Sequence, residues 1–274
     1  MKDSQIAYAL MKRYLSYPRI KEKTIREEIS PYSTYTATKE MLIRIHQKGI
    51  IFGPELWLNS GFVVELKKSV KKSCLDLFEE YKMDNDVTYV FALMGAYSLL
   101  CFRRGASILK NAICVIPSFP AEKKVSEIEL TEKGTIEREK YPSNWDDLDW
   151  QVFYAMKKNP NLSFGKVGGK LDVSWTTVQL HFKKILKDID IWVSFYPQGY
   201  NYYQKAILKF KTKYEKDLIF ELQKIDRSSF LYKYDENLLL YLFYEDYKDL
   251  RRFEILKKEG KIKDLSFSTP IAWD

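Results

Sequence analysis

Apolar residues fall at three- and four-residue spacing in two separate blocks of this chain, and each block is followed by stretches where they alternate or run together. In the first block Ile6, Leu10 and Tyr14 share one face of a helix predicted over 4–15, with Asp3 or Ser4 as its cap. Pro18 ends that helix by pushing Tyr17 out of helical conformation. A second short helix is predicted over 21–29 and a third over 34–48, where Gly49 stops it. Residues 50–53 and 55–58 then read as two wing strands around Gly53-Pro54. In the later block Leu148, Val152 and Met156 define a helix over 147–158, and a short helix covers 164–170. Val178, Phe182 and Ile185 form the apolar stripe of a helix running to about Lys187, and the Ser174 hydroxyl can accept its free N–H groups as an N-cap.

Strand-like segments follow each block. After the first come a strand at 62–66, a helix at 69–81 and strands at 87–93, 98–102 and 112–116. After the second come strands at 206–210, 230–233, 238–243 and 265–271, with helices at 213–224 and 247–258. Strand, helix, strand, strand, helix, strand is the split βαβ, ferredoxin-like plan. In the first copy the second helix has to fit between Gly105 and Asn111, so it is short or missing.

The two blocks also repeat each other at a constant offset of 140 residues. Thr34 matches Ser174, Tyr35 matches Trp175, Thr36 matches Thr176, Leu42 matches Phe182, Arg44 matches Lys184 and Ile45 matches Ile185. The order Leu148-Asp149, Leu162-Ser163, Leu171-Asp172-Val173-Ser174 and Thr177-Val178 resembles the Lrp/AsnC feast/famine regulators of bacteria and archaea. The stretch from Gly49 to Asn59 is similar to the same family's wing. The resemblance implies an α+β chain of two winged helix-turn-helix domains alternating with two ferredoxin-like (βαββαβ, RAM-like) domains, a pseudo-two-fold tandem repeat. The expected boundaries are 1–58 and 145–197 for the winged helices, 59–120 (degenerate) and 198–274 for the α/β domains, and a charged linker at 121–144. Family members dimerise to present two DNA-reading heads; this chain is expected to hold both covalently.

In a helix-turn-helix the early residues of the recognition helix meet base edges while flanking bases hold phosphate. Position therefore assigns Trp175, Thr176 and Gln179 to bases and Lys183 and Lys184 to phosphate, with Ser174 at the cap. The first-head equivalents are Tyr35, Thr36 and Lys39, with Arg44 for phosphate and Thr34 at the cap. Gly95, Tyr97 and Ser98 resemble part of the family's amino-acid effector loop, with serine where the family has aspartate, and Asp235 holds the matching place in the last segment. Double-stranded DNA is the expected partner, with an amino-acid-like effector second; whether the chain stays a pseudo-dimer or forms a homo-oligomer is left open. Siroheme decarboxylases share this build, but few His and Arg residues in the α/β segments are present to hold an iron porphyrinoid. An effector-sensing protein without DNA binding is the third reading.

Composition adjusts this picture only slightly. A net charge of +8 and a pI near 9.0 favour an anionic partner. Residues 1–60 carry ten Lys/Arg against six Asp/Glu and residues 145–192 seven against six, so the first head is the more basic by count. No apolar run of about 18 residues and no secretory signal is present, and a cytoplasmic location is expected. Cys74, Cys101 and Cys114 lack metal-ligand spacing and are expected as reduced thiols. His46 and His181 read as ordinary helix residues, Glu79-Glu80 and Asp146-Asp147 as solvated pairs, and there is no phosphate-binding loop or nucleophile elbow. No enzyme activity, cofactor or metal is expected.

Overall fold

The computed structural model describes residues 2–59, 61–105, 109–139 and 142–274 of a mixed α+β chain with antiparallel sheets. The chain begins with helices α1 (Asp3–Ser16), α2 (Glu22–Glu28) and α3 (Tyr35–Gln47), followed by strands β1 (Ile51–Trp57) and β2 (Phe62–Lys67). Helix α4 (Cys74–Lys82) precedes β3 (Val87–Gly95), β4 (Leu99–Arg104) and β5 (Leu109–Val115). After a 3-10 turn at Val125–Glu127 come α5 (Asp147–Met156), α6 (Phe164–Leu171), α7 (Trp175–Ile185) and β6 (Asp190–Phe195). The last elements are β7 (Gln204–Thr212), α8 (Glu215–Gln223), β8 (Ser229–Tyr234), β9 (Asn237–Tyr244), α9 (Tyr247–Lys258) and β10 (Ile262–Trp273). Among the described residues no helix is long and apolar enough to cross a membrane.

These elements gather into two units, neither continuous in sequence: Met1–Leu58 with Lys140–Tyr202, and Asn59–Glu139 with Tyr203–Asp274. Like segments are collected together, where the sequence suggested consecutive domains. In the first unit the two expected wings are replaced by a shared ribbon. β1 is one strand rather than a hairpin, and it pairs antiparallel with β6 from Ile51↔Phe195 to Trp57↔Asp190. Gly53-Pro54 makes an irregularity in that ladder and no turn. Gly53 sits at φ +95°, and a Cβ there would come within 2.5 Å of the Trp192 carbonyl oxygen, so only glycine allows this approach. Trp57 stacks on Trp192 at 4.0 Å.

Each block lends an element to the other. Leu56 and Leu58, at and just beyond the end of β1, are buried with Val152, Phe153, Met156, Val167, Val178, Phe182 and Ile185 of α5–α7. The Leu56 N–H donates to the Lys157 carbonyl at 2.8 Å. In return α1 lies against β6, with the Tyr8 and Phe195 rings 5.3 Å apart. Arg19, just after α1, donates to the Leu162 carbonyl at 2.7 Å and lays its guanidinium 3.9 Å over the Phe164 ring.

The second unit is one eight-stranded sheet in the order β2-β4-β3-β10-β7-β9-β8-β5. The order within 204–273 is fourth, first, third, second (β10-β7-β9-β8). The first segment supplies β2-β4-β3 and sends β5 to the far edge, beside β8. Four strands separate β4 from β8, which in a flat sheet means about 24 Å at roughly 4.8 Å per step. The Phe102 and Tyr232 rings are nevertheless 4.8 Å apart, and Phe91 meets Tyr241 at 5.5 Å. The sheet is therefore strongly curled around an aromatic interior, with edge strands β2 and β5 brought close, which protects otherwise unpaired edges. Four residues separate β4 from β5, and 106–108, where the second helix is expected to be short or missing, lie outside the described residues.

The stretch expected as a charged linker is more than a connection. Val125, Ile128, Leu130 and Ile136 are buried in the core beneath α8 and α9. The Thr131 N–H donates to Asp217 at 2.6 Å, the Ile136 N–H to Glu215 at 2.7 Å, and Arg252 donates to the Ile128 carbonyl. Its many charges concealed four apolar anchors that tie it down as a strap.

Candidate nucleic-acid interface

The exposed face of α7 is built from its cap outward. The Ser174 Oγ accepts from the Thr177 N–H at 3.1 Å and lies 2.7 Å from both Thr176 Oγ1 and Thr177 Oγ1, so it locks the first turn. Val178, Phe182 and Ile185 are buried, which turns Trp175 (57% exposed), Thr176, Leu180 (67%) and Lys183 outward, with Gln179 half-buried beside them. α3 repeats the arrangement. Thr34 Oγ1 accepts from the Ala37 N–H at 3.4 Å, Met41 and Ile45 are buried, and Tyr35, Thr36 and Lys39 are exposed. The Tyr35 hydroxyl donates to Glu22, which raises its pKa.

Two of the expected phosphate-binding residues have other work. Lys184 is half-buried and donates to Asp149, whose side chain is wholly buried, and lies 3.6 Å from Asp146. His181 Nδ1 lies 2.7 Å from the other Asp149 oxygen. Burial pushes the Asp149 carboxyl up, but the bonds from Lys184, the Asp146 N–H and His181 outweigh it and hold the group below its ordinary value. Asp146, Asp149 and His181 have the donor types of a cation site, yet the Lys184 ammonium already supplies the positive charge at Asp149. Arg44 does the same in the first block, reaching Asp3 through Nε at 3.1 Å and Nη2 at 2.9 Å, with Lys48 adding a third bond at 2.9 Å. Both bases brace the third helix of their block against the first turn of the block's first helix. Sequence position alone points to phosphate contact because both acid partners lie more than 30 residues away.

Asp3 makes this bracing pH-dependent. Hydrogen bonds from Arg44 and Lys48 lower its pKa from 3.8 to about 2. A lowered carboxyl pKa stabilises the fold fully above the unfolded value and is lost as pH falls toward the folded one. With Arg44 and Lys48 partly exposed, the contribution is about 1 kcal/mol. The unfolding free energy should therefore drop between pH 4 and 2, and Asp3→Asn should lower stability near pH 7 while flattening that limb. An unchanged limb in Asp3→Asn would assign it to other carboxylates.

The surface next to α7 was missed from sequence. α6 exposes Gly165, Lys166, Gly169 and Lys170 along one stripe, and Lys187 is exposed just past α7. A Gly-Lys pair repeated at four-residue spacing behind the Ser163 cap was the available signal. The third glycine of α6 is different. A Cβ on Gly168 would come 2.6 Å from the Val173 carbonyl oxygen, where the turn through Asp172 (φ 54°) folds back, whereas one on Gly165 or Gly169 meets nothing within 4 Å. Gly168→Ala should cost about 2 kcal/mol, and Gly165→Ala and Gly169→Ala should each raise stability by about 0.5–1 kcal/mol in thermal unfolding.

Of the expected effector residues, Gly95, Tyr97 and Ser98 are engaged by neighbouring strands. Gly95 (φ +124°) is required because a Cβ would meet the Phe267 carbonyl at 2.7 Å. Tyr97 accepts at its hydroxyl from Lys209 at 3.1 Å and donates its N–H to Ser268 at 3.1 Å. Ser98 Oγ accepts from the Ser69 N–H at 3.1 Å. Asp235 is exposed in the β8–β9 turn, its carbonyl accepting from Lys110 at 2.8 Å. These bonds account for Tyr97 and Ser98 as strand-joining residues. Burial pushes the Cys101 thiol up to about 12, so it stays protonated and inert. No protein-family model matches the chain, and no curated protein or solved structure matches it either.

Proposed function

We propose that this chain is a sequence-specific regulator of transcription that binds double-stranded DNA, a single-chain pseudo-dimer of Lrp/AsnC-like build. The observation that carries the reading is the pair α3 and α7. Both start at positions 140 residues apart, both are capped by a hydroxyl, and both turn an aromatic residue and a threonine outward at the first turn. The order of three helices and a strand around each supports a winged helix-turn-helix reading, with β1 and β6 forming one common ribbon in place of two hairpins. In the second unit the order β10-β7-β9-β8 supports a ferredoxin-like half, and the transfer of β5 to β8 supports a duplication whose halves exchange strands.

On this reading Trp175, Thr176 and Gln179 are the main base-reading residues, with Tyr35, Thr36 and Lys39 as a second, different set. Gln can bond adenine twice and the threonine methyl suits thymine. Two unlike heads favour an asymmetric operator over a palindrome. Selection of bound sequences from random duplex DNA tests this directly. Gln179→Ala with Trp175→Ala should lower affinity for the selected site by about 2–3 kcal/mol while leaving binding to unrelated duplex nearly unchanged. Equal losses on both DNAs would remove α7 from base reading, and failure to enrich any sequence would sink the specific regulator.

A further inference from the structure

We infer that the phosphate backbone is gripped through one head only, by the α6–α7 surface carrying Lys166, Lys170, Lys183 and Lys187. This rests on the DNA-binding reading above and adds a division of labour to it. In helix-turn-helix docking the helix before the recognition helix crosses the backbone. α6 is shaped for that crossing. Gly165 and Gly169 leave a side-chain-free strip on its exposed face, open because an added Cβ at either would meet nothing within 4 Å. Each glycine is followed by an exposed lysine. A sugar-phosphate strand can lie against the helix itself, with ammonium groups alongside. Among the described residues none of the four lysines forms an ion pair with an acid. Asp172, in the turn, is the only acid between residues 163 and 187.

The first block presents a mixed surface, with Lys21, Lys23 and Lys39 exposed among acids. α2 exposes Glu22, Glu27 and Glu28, and α3 exposes Glu40. Several of its bases are committed to acids: Arg26 to Glu27, Arg44 and Lys48 to Asp3. At the common offset Lys183 is replaced by Ile43 and Leu180 by Glu40. Carboxylates interleaved with these bases weaken any hold on the backbone, so α3 can at most touch bases once α6 and α7 have set the register. Counting charge by segment pointed the other way. The acids near α5 made the second head look weakly basic, but Asp146 caps that helix and Asp149 is consumed inside.

The test is fluorescence anisotropy of the full chain on a labelled 30-base-pair random-sequence duplex between 50 and 200 mM salt. Each neutralised phosphate contributes about 0.9 to the slope of log affinity against log salt. Lys166→Ala with Lys170→Ala should flatten the slope by about 2 and lower affinity at 100 mM salt by roughly tenfold or more. A pair of exposed bases at the start of α2, Lys21→Ala at its cap with Lys23→Ala, should leave the slope unchanged. Gly165→Gln with Gly169→Gln keeps the charge and favours the helix, so the melting temperature should hold or rise while affinity falls. An α6 lysine variant that binds like the wild type, an α2 variant that loses as much slope, or a glutamine variant with full affinity would each overturn the one-headed grip and leave DNA binding standing. A wild type that binds no duplex at 50 mM salt would overturn both.

Discussion

Phe182→Ala is expected to destabilise the protein by about 4 kcal/mol, the largest effect of any single change considered. The Phe182 ring is wholly buried among Val152, Phe153, Met156, Val167 and Val178, and it lies 5.5 Å from the ring of Phe164. Truncation removes its transfer free energy and leaves a void that three surrounding helices cannot close. The Arg19 guanidinium, 5.5 Å from the same ring, loses part of its seat. Since Leu56 and Leu58 belong to this core although they follow α3, the damage should spread beyond α5–α7. Urea unfolding followed by tryptophan fluorescence gives the magnitude. Amide exchange gives the spread: protection of α1–α3 should fall together with that of α5–α7. If α1–α3 kept its protection, the β1–β6 ribbon would be a weak coupling and the two blocks would unfold separately.

Asp149→Ala ranks second, at about 3 kcal/mol. Its carboxylate has no solvent exposure and accepts from the Asp146 N–H at 2.9 Å as well as from His181 and Lys184. Removing one member of a buried charged set leaves the others without compensation, a change that costs about 3–5 kcal/mol when both stay buried. Lys184, with 35% of its side chain exposed, can swing into water, which puts the expected value at the lower end. Asp149→Ala combined with Lys184→Met should recover part of the loss, because the stranded ammonium is gone. A single variant costing under about 1 kcal/mol would show that α7 is held by its apolar face alone. On the proposed DNA-binding reading, affinity for duplex should also fall in Asp149→Ala, since the brace on α7 is lost.

Much of the local structure was legible because it rests on short-range physics. The α9 limits follow from the 3.6-residue period, and the α3 and α7 starts follow from Thr34 and Ser174. The long-range choices were not. Asp3 and Arg44 are 41 residues apart, and Asp149 and Lys184 are 35 apart, so no local pattern distinguishes a bracing base from a free one. Gly53-Pro54 carries the composition of a hairpin turn, yet the approach of the Trp192 carbonyl makes it an irregularity within a strand.

By itself the sequence determined the alternation of helical blocks with strand-rich segments, the 140-residue correspondence of α3 with α7, and the outward-facing Trp175, Thr176, Tyr35 and Thr36. Helical period, capping chemistry and apolar spacing are local and suffice for these. Tertiary structure alone decided that β1 pairs with β6, that β5 crosses to β8, and that 122–139 is a strap. It also decided which lysines remain free at the surface. Strand partners are chosen by whichever edge can satisfy the backbone while burying the apolar face, and a side-chain charge is committed by whatever acid the fold brings near. Both depend on residues distant in the chain, and neither leaves a mark on the local pattern.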